Sequence, residues 1–207
     1  MGAESVMLIR HAESQWNAAG LWQGQQGPGL SDHGHRQAKV TAAFLAATVD
    51  DATLLVSSDL PRAAETAAPA ARALGLPLRT DERLREIDVG WWTGLTTDEL
   101  LARAPDDMAA IRDGDDLPRG GGETVGDLRA RVAPAVADLA ASCDGGTALV
   151  FCHGGPVRAV VGDALGLSVI DERVLAGPGN CSRTVITYRN GRPRLACYNE
   201  TAHLVGV

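Results

Sequence analysis

Positive charge is scarce in this sequence. The 207 residues include 26 Asp and Glu but only 19 Lys and Arg, so the formal net charge is −7, and Lys39 is the only lysine. A nucleic-acid-binding domain normally carries a basic patch or an excess of positive charge, and a protein that binds anionic membranes carries a polybasic segment. We therefore expect neither a nucleic acid nor a membrane as a partner.

Long apolar runs and paired cysteines are also missing. No apolar run approaches the roughly 18 residues of a membrane-spanning helix, and the first residues lack the basic leader and apolar stretch of a secretory signal. The 4 cysteines form no Cys-x-x-Cys pair and are too few for a disulfide framework. This favours a reduced chain in the cytoplasm.

What the sequence does contain is an alternation of strand-like and helix-like segments. Short apolar runs predict buried strands, and stretches with helical periodicity predict the helices between them. The predicted strands cover residues 5–9, 53–56, 147–151, 184–188 and 194–198, and the main predicted helices cover residues 37–47, 63–74, 123–141 and 156–165. Asn190-Gly191, between the last two strands, fits the type I′ turn of a β-hairpin.

This alternation predicts an α/β fold, a three-layer sandwich with a mostly parallel central sheet, helices on both faces and a C-terminal antiparallel hairpin. We expect a single domain over residues 1–207, with a short acidic helical cap insert at about 95–119. The composition marks no linker and no repeat. A homodimer through the hairpin edge near Tyr198 is left open.

Arginine and histidine follow three of the predicted strands. Arg10 and His11 follow the first, Arg62 comes shortly after the second, and His153 and Gly154 follow the third. Because ligands of open α/β sheets bind at the carboxyl ends of the strands, we expect these residues to converge. Arginine presents a planar fork for phosphate oxygens, histidine attacks phosphorus or donates to its oxygens, and a glycine at a helix start lets backbone N–H groups approach an anion. The group that suits this set is a phosphoryl group.

These segments resemble the histidine phosphatase superfamily, in its phosphoglycerate-mutase-like branch. The similar blocks run in family order over nearly the whole chain, and together they are far more specific than any one of them. They include residues 8–17 (LIRHAESQWN), 57–67 (SSDLPRAAETA), 84–94 (LREIDVGWWTG), 151–158 (FCHGGPVR) and 198–204 (YNETAHL).

The resemblance implies a catalytic role for five residues. His11 would be the nucleophile that forms a phosphohistidine, while Arg10, Arg62 and His153 would hold the phosphoryl oxygens. Glu86 would protonate the leaving oxygen and then activate water. The resemblance implies a metal-independent phosphoric monoester hydrolase without a cofactor, because the arginines and His153 stabilise the charge that Mg²⁺ stabilises in other phosphoryl-transfer enzymes.

The resemblance also implies contacts near the substrate and shows departures from the family pattern. Asn17 would add a contact from the first loop, and Gln23 would lie near the substrate. Ala12 stands where the family usually has glycine, so its backbone must avoid a positive φ. Leu21 and Trp22 stand where many relatives carry an arginine, which removes one contact to a second anionic group.

The charge of the predicted cap bears on the reaction. Residues 95–119 hold seven acids and three arginines, a net charge of −4, whereas a mutase that reorients a bisphosphate would need a basic lid. We therefore expect a phosphatase for a small phosphomonoester with few other anionic groups, such as a sugar phosphate. The alternatives are a phosphoglycerate-type mutase and a non-catalytic domain that binds a phosphorylated ligand. A metal site from His11, His33 and His35 is weaker, because their spacing is unconvincing.

Overall fold

A central six-stranded sheet organises the part of the chain that the computed structural model describes, residues 2–207. Its strands are β1 (Ser5–Arg10), β2 (Ala52–Ser57), β3 (Arg79–Thr80), β4 (Thr147–Cys152), β5 (Arg183–Arg189) and β6 (Arg192–Glu200). The order across the sheet is β3-β2-β4-β1-β5-β6. The first four strands are mutually parallel, β5 is antiparallel to β1, and β6 is antiparallel to β5. The predicted fold class is therefore confirmed.

The hairpin of β5 and β6 has the predicted turn. Asn190 and Gly191 have φ angles of 52° and 72°, as both central residues of a type I′ turn require. Both strands run longer than the sequence predicted, because the edge pairing continues beyond the apolar residues that revealed it. Tyr198, on the edge strand β6, donates its hydroxyl to the carbonyl of Ala176 within the same chain.

Seven α-helices flank the sheet within the described residues. They are α1 (Gln15–Ala18), α2 (Asp32–Thr48), α3 (Pro61–Leu74), α4 (Thr97–Arg103), α5 (Pro105–Asp113), α6 (Val125–Ser142) and α7 (Gly154–Ala164). Short 3-10 helices cover Glu82–Leu84, Gly90–Trp92, Arg119–Gly121, Asp171–Val174 and Ala202–Leu204.

Alternation along β1 explains why helices cover both faces. Val6 and Leu8 belong to a buried cluster with residues of α6 and α7, whereas Met7 and Ile9 belong to a second cluster with residues of α2 and α3. Successive side chains of a strand point to opposite faces, so a strand that is apolar at every position needs a cover on each side. All six residues of β4, which lies at the centre, are buried.

Helix starts differ from the sequence prediction where polar residues cap them. Helix α2 begins at Asp32 rather than at residue 37, because the Ser31 side chain accepts a hydrogen bond from the Gly34 N–H. Helix α1 was not predicted; it is a single turn closed by a capping box between Ser14 and Asn17. No helix among residues 2–207 is long and apolar enough to cross a membrane.

Candidate active site

The carboxyl ends of β1, β2 and β4 form the floor of the site. The His11 N–H donates to the carbonyl of Cys152 (2.9 Å), and the Ser58 N–H donates to the carbonyl of Phe151 (2.8 Å). The residues that follow these three strands are therefore held side by side by sheet hydrogen bonds. The rings of His11 and His153 lie 5.1 Å apart, centroid to centroid.

His11 presents an unprotonated ring nitrogen to the cavity. Its Nδ1 lies 2.7 Å from the carbonyl of Ala12, which can only accept, so the proton is on Nδ1 and Nε2 carries the lone pair. Burial, followed by the charges of Arg62 and Arg10, lowers the pKa of His11 well below its usual 6.5. The imidazole is therefore neutral at pH 7, in the form that attacks phosphorus.

Arg62 is fixed against His11 by three hydrogen bonds. Its Nε donates to Nε2 of His11 (3.3 Å), and its two terminal nitrogens donate to the carbonyls of Gly24 (2.7 Å) and Gln26 (2.8 Å). Burial lowers the pKa of Arg62 to about 10, which leaves the guanidinium charged at neutral pH. Gly24 has a φ of 51° and lies against Val89, so this anchor requires glycine.

Two buried nitrogen atoms beside His11 have no hydrogen-bond partner among residues 2–207. Arg10 donates through Nη1 to the carbonyl of Pro178 (2.5 Å), but its buried Nε contacts no acceptor. The Nδ1 atom of His153 is equally buried and unpartnered. Buried polar groups are normally hydrogen-bonded, and a bound anion would supply the acceptors that these two groups lack.

Ser58 sets the orientation of His153, and sequence reasoning assigned it no role. Its hydroxyl oxygen accepts from the Leu60 N–H (3.3 Å) and lies 2.9 Å from Nε2 of His153. Nε2 can accept the Ser58 proton, and in that arrangement the ring proton of His153 is on Nδ1. Burial, followed by the charges of Arg62, His11, Arg10 and Arg131, lowers the pKa of His153 well below 6.5. The ring is neutral and presents one donor.

Glu86 faces this group from the opposite wall. Its carboxylate accepts from the Gly155 N–H (3.1 and 3.3 Å), at the start of α7, and from the Ile87 N–H (2.9 Å). Arg131 holds the segment from behind, because its terminal nitrogens donate to the carbonyls of Arg83 (2.9 Å), Arg85 (3.0 Å) and Glu86 (3.3 Å). The carboxylate is thereby fixed at the positive end of a helix.

Gly155, rather than Gly154, makes the close approach that the glycine pair predicted. A Cβ on Gly155 would lie 2.3 Å from Oε1 of Glu86 and 2.9 Å from Leu128, whereas a Cβ on Gly154 would lie 3.8 Å from Arg10 and 3.9 Å from Glu86. The anion that the helix start approaches in this structure is the protein's own glutamate. Both glycines belong to the motif, but the motif does not show which of the two has no room for a Cβ atom.

Asn17 and Gln23 line the same cavity. Asn17 lies in helix α1, not in a loop as predicted, and its Oδ1 accepts from Ser14 (3.1 Å) and from Nδ2 of Asn180 (3.3 Å). Oε1 of Gln23 accepts from the Ser14 hydroxyl (2.8 Å). Asn180 also donates to the carbonyl of His11 (3.0 Å), a contact that lies too far along the chain for local patterns to reveal.

Ala12, Cys152 and His33 lie in or near the predicted motifs, and their side chains take no part in the site. Ala12 is absent from the non-glycine residues with positive φ, so the prediction that its backbone avoids that region is confirmed. Cys152, next to His153, points into the apolar core, and burial raises the pKa of its thiol, which excludes it as a nucleophile. The ring nitrogens of His33 lie 3.4 Å from Nη2 of Arg36 and 3.0 Å from Nε2 of Gln37, both on its own helix.

The outer part of the cavity has two different walls. The cavity has a volume of about 560 Å³. One wall is apolar and includes Trp22, together with Met108 and Ile111 from helix α5. The other wall includes Arg119, Arg158 and Arg173. The segment charge of −4 did not predict this lining, because net charge does not show which side chains face inward.

The site brings together a neutral histidine, two buried groups without partners, a fixed arginine and a carboxylate. This combination suits phosphoryl transfer to histidine. Sequence comparison gives the same result, since the profile of the histidine phosphatase superfamily (branch 1) matches residues 6–201. The chain belongs to this family.

Individual relatives are phosphatases. Glucosyl-3-phosphoglycerate phosphatase of Mycolicibacterium vanbaalenii is 38% identical over 190 residues, covering 88% of this chain and 83% of that protein. Phosphoserine phosphatase 1 of Hydrogenobacter thermophilus is 32% identical over 200 residues, covering 96% and 93%. A solved structure of a mycobacterial glucosyl-3-phosphoglycerate phosphatase in complex with VO3 matches with a TM-score of 0.87 at 33% identity, covering 96% of this chain and 100% of that chain.

Proposed function

We propose that this protein hydrolyses small phosphomonoesters through a phosphohistidine at His11. Nε2 of His11 attacks phosphorus, the ester P–O bond breaks, and Glu86 gives its proton to the leaving alcohol. Water then attacks the phosphohistidine, Glu86 takes the proton of that water, and inorganic phosphate leaves. Arg10, Arg62 and His153 hold the phosphoryl oxygens in both steps.

The observation that carries this proposal is the pair of orphan donors beside a neutral nucleophile. Nε of Arg10 and Nδ1 of His153 are buried without partners among residues 2–207, while Nε2 of His11 lies 3.3 Å from Nε of Arg62 and the His11 ring lies 5.1 Å from the His153 ring. A phosphoryl group bound there satisfies both groups and accepts from Nε of Arg62, which releases the Nε2 lone pair of His11 from its hydrogen bond with Arg62. Donors fixed before the substrate arrives cost no reorganisation in the transition state.

Hydrolysis is favoured over a mutase reaction by the two relatives above that are named for phosphatase activity, whereas another relative is named a probable phosphoglycerate mutase. A mutase would return the phosphoryl group to a second hydroxyl of the substrate instead of giving it to water. The distinction is measurable as free phosphate, and the same measurement addresses a domain that binds without catalysis.

The test compares the natural chain with H11A on a panel of phosphomonoesters. We expect phosphate release from at least one ester, a loss of about 10⁴-fold in H11A, and acid-labile ³²P on the natural chain only. H33A, which changes a histidine outside the cavity, should retain full activity. Isomerisation without phosphate release, or equal release by H11A, would overturn the proposal.

We also place the protein in the cytoplasm, acting without a nucleic-acid or membrane partner. All four cysteines are free, and three of them are buried. The homodimer stays a prediction: β6 leaves one edge unpaired in the chain, and analytical ultracentrifugation at micromolar concentration would decide it.

A further inference from the structure

Two residues near Arg10 have a left-handed backbone conformation although neither is a glycine. Three non-glycine residues among residues 2–207 have a positive φ, and the hairpin turn explains one of them, Asn190. The other two are Cys181 and Asn199, each with a φ of 54°. This conformation costs energy in any residue with a side chain, so it persists where the surrounding structure requires it. Here it accompanies a segment that holds Arg10.

That segment, residues 178–181, runs alongside Arg10 and His11. The Cys181 N–H donates to the carbonyls of Arg10 (3.1 Å) and His11 (3.3 Å). In return, Nη1 of Arg10 donates to the carbonyl of Pro178 (2.5 Å). The segment therefore holds the backbone of the nucleophile at one end and the guanidinium of Arg10 at the other.

A β-bulge in strand β6 brings Asn199 to the same segment. Between Glu200 and Cys197 the pairing of β6 with β5 shifts by one residue, so β6 carries one extra residue there. Bulges of this kind bend a strand and redirect its side chains, and they are frequent next to active sites. Within the bulge, Oδ1 of Asn199 accepts a hydrogen bond from the Gly179 N–H (2.7 Å).

Asn199 and Arg10 therefore bind opposite edges of one peptide group. The Pro178 carbonyl and the Gly179 N–H belong to the same planar unit, which is trans. In a trans peptide the C=O and the N–H point in opposite directions, so a contact that fixes one also fixes the other. Each hydrogen bond also polarises the peptide group and strengthens the second bond. The orientation of the Arg10 guanidinium thus depends on Asn199.

Arg10 relies on this contact more than Arg62 relies on any one of its own. Among residues 2–207, the Arg10 guanidinium donates to one acceptor, the Pro178 carbonyl, whereas the Arg62 guanidinium donates to three. Nε of Arg10 is buried and has no partner in that part of the chain. A small rotation about the Pro178 contact would turn this Nε away from a phosphoryl oxygen, and errors of this size are costly in active sites.

We propose that Asn199 is a positioning residue for Arg10 and acts through the peptide group of Pro178 and Gly179. This inference rests on the proposed function, because it requires a phosphoryl group in front of Arg10. It adds to the phosphate site a residue that acts only through another one. If Asn199 merely stabilised the hairpin, its removal would not act on the contribution of Arg10 in particular.

A double-mutant cycle with Arg10 tests this proposal, with inorganic phosphate as the probe. Glycine adopts a positive φ freely, so N199G keeps the bulge and removes the acceptor of the Gly179 N–H. We expect N199G to raise the Kd for phosphate, measured by isothermal titration calorimetry, about tenfold, because one charge-assisted hydrogen bond is loosened. In the R10Q background the same substitution should change the Kd less than twofold. For an ester that the chain hydrolyses, kcat/KM should show the same lack of additivity.

Two further variants control for effects on the backbone and on charge. N190G makes the same substitution in the turn of the same hairpin, at a φ of 52°, and should leave the Kd for phosphate unchanged. N199D keeps an oxygen acceptor for the Gly179 N–H, so its Kd should lie within about threefold of the natural value. An effect of the added charge alone would appear in the R10Q background as well.

The outcomes separate this proposal from the proposed function. An equal increase in Kd when N199G is made in the natural and in the R10Q backgrounds would overturn it, because Asn199 would then act on the whole site. An unchanged Kd in N199G would overturn it as well. If the natural chain released phosphate from no ester, the proposed function would fail, but the Kd values for phosphate would still decide the role of Asn199.

Discussion

The inner and outer parts of the cavity are built on different principles. The inner part is made by the carboxyl ends of adjacent parallel strands, and His11, Arg62 and His153 are at most 2% exposed there. The outer part is made by the cap and by loops, and its arginines and apolar side chains come from segments far apart in the sequence. Strands and the residues that follow them thus position the inner residues, whereas the cap and loops supply the outer ones.

The strength of charge–charge interactions also differs between the inner and outer parts of the cavity. In the inner part, burial and the charges of neighbouring guanidinium groups keep two histidines neutral. These charges act strongly because they are close to the histidines and little water lies between them. In the outer part, the charges of Arg158 and Arg173 are partly open to solvent and are more strongly screened. A change in the inner part should therefore act on the chemical step, and a change in the outer part should act on substrate binding.

The largest effect after removal of His11 is expected at Gly155. In G155A the new methyl group would lie 2.3 Å from Oε1 of Glu86, so the carboxylate must move away from its helix-start position. We expect kcat to fall about 100-fold, because a misplacement of about 1 Å costs rates of this order. KM for the ester should change less than threefold.

Gly154 supplies the matched control for that variant. A methyl group there makes only ordinary contacts, at 3.8 Å or more, so G154A should keep kcat within about twofold. Circular dichroism and the thermal midpoint should be similar for the two variants. Equal loss of activity in G154A and G155A would show that the helix start, rather than the position of Glu86, limits the rate.

A smaller effect is expected at Ser58, which acts on the inner part through His153. In S58A the ring of His153 loses the hydroxyl that places its proton on Nδ1. We expect kcat to fall about tenfold, the cost of roughly one orienting hydrogen bond. The affected readout is kcat rather than KM for the ester.

The conservative variant S58T separates orientation from packing. Threonine keeps the hydroxyl, so kcat should recover to within about threefold of the natural value. NMR of ¹⁵N-labelled histidine should report the Nδ1–H tautomer of His153 in the natural chain and in S58T, and a mixture in S58A. If His153 keeps the same tautomer in S58A, Ser58 does not position the ring proton of His153.

The inner part could be predicted from the sequence, and the outer part could not. Arg10, His11, Arg62 and His153 each follow a strand whose apolar run is visible, and parallel strands bring their carboxyl ends together. Arg119, Arg158 and Arg173 converge only through tertiary packing of the cap, α7 and the 171–174 turn, which no local pattern encodes. The acidic charge of the cap even predicted the opposite lining.

Ser58 and Gly155 illustrate an intermediate case. Both residues lie inside recognised motifs, but their roles depend on contact distances of 2.9 Å from Ser58 to His153 and 3.1 Å from Gly155 to Glu86. A shift of a few tenths of an ångström would change either contact. Residue type predicts that such a contact can form. Only the folded backbone decides which hydroxyl or N–H group makes it.

The smallest expected effect concerns stability and follows from the neutral histidines of the inner part. The pKa values of His11 and His153 are lowered in the folded chain, so below pH 6.5 the unfolded chain binds protons that the folded chain does not bind. Stability should therefore fall as pH decreases from 6.5, by up to about 1.4 kcal/mol per pH unit for each histidine. Carboxylates with a lowered pKa also make the folded chain less stable as pH decreases, but they do so at lower pH. Between pH 6.5 and 5.5, the change in stability therefore comes from the histidines.

Removal of one histidine should flatten this dependence. In H11Q the slope of the unfolding free energy between pH 6.5 and 5.5 should be smaller than in the natural chain by about 1 kcal/mol per pH unit, since one proton-binding difference is gone. Urea denaturation in phosphate-free buffer measures the slope without an anion in the site. H33Q, outside the cavity, serves as the control and should retain the natural slope. Identical slopes in H11Q and the natural chain would mean that His11 takes up protons equally in the folded and unfolded states, which would contradict a pKa lowered by burial in the folded chain.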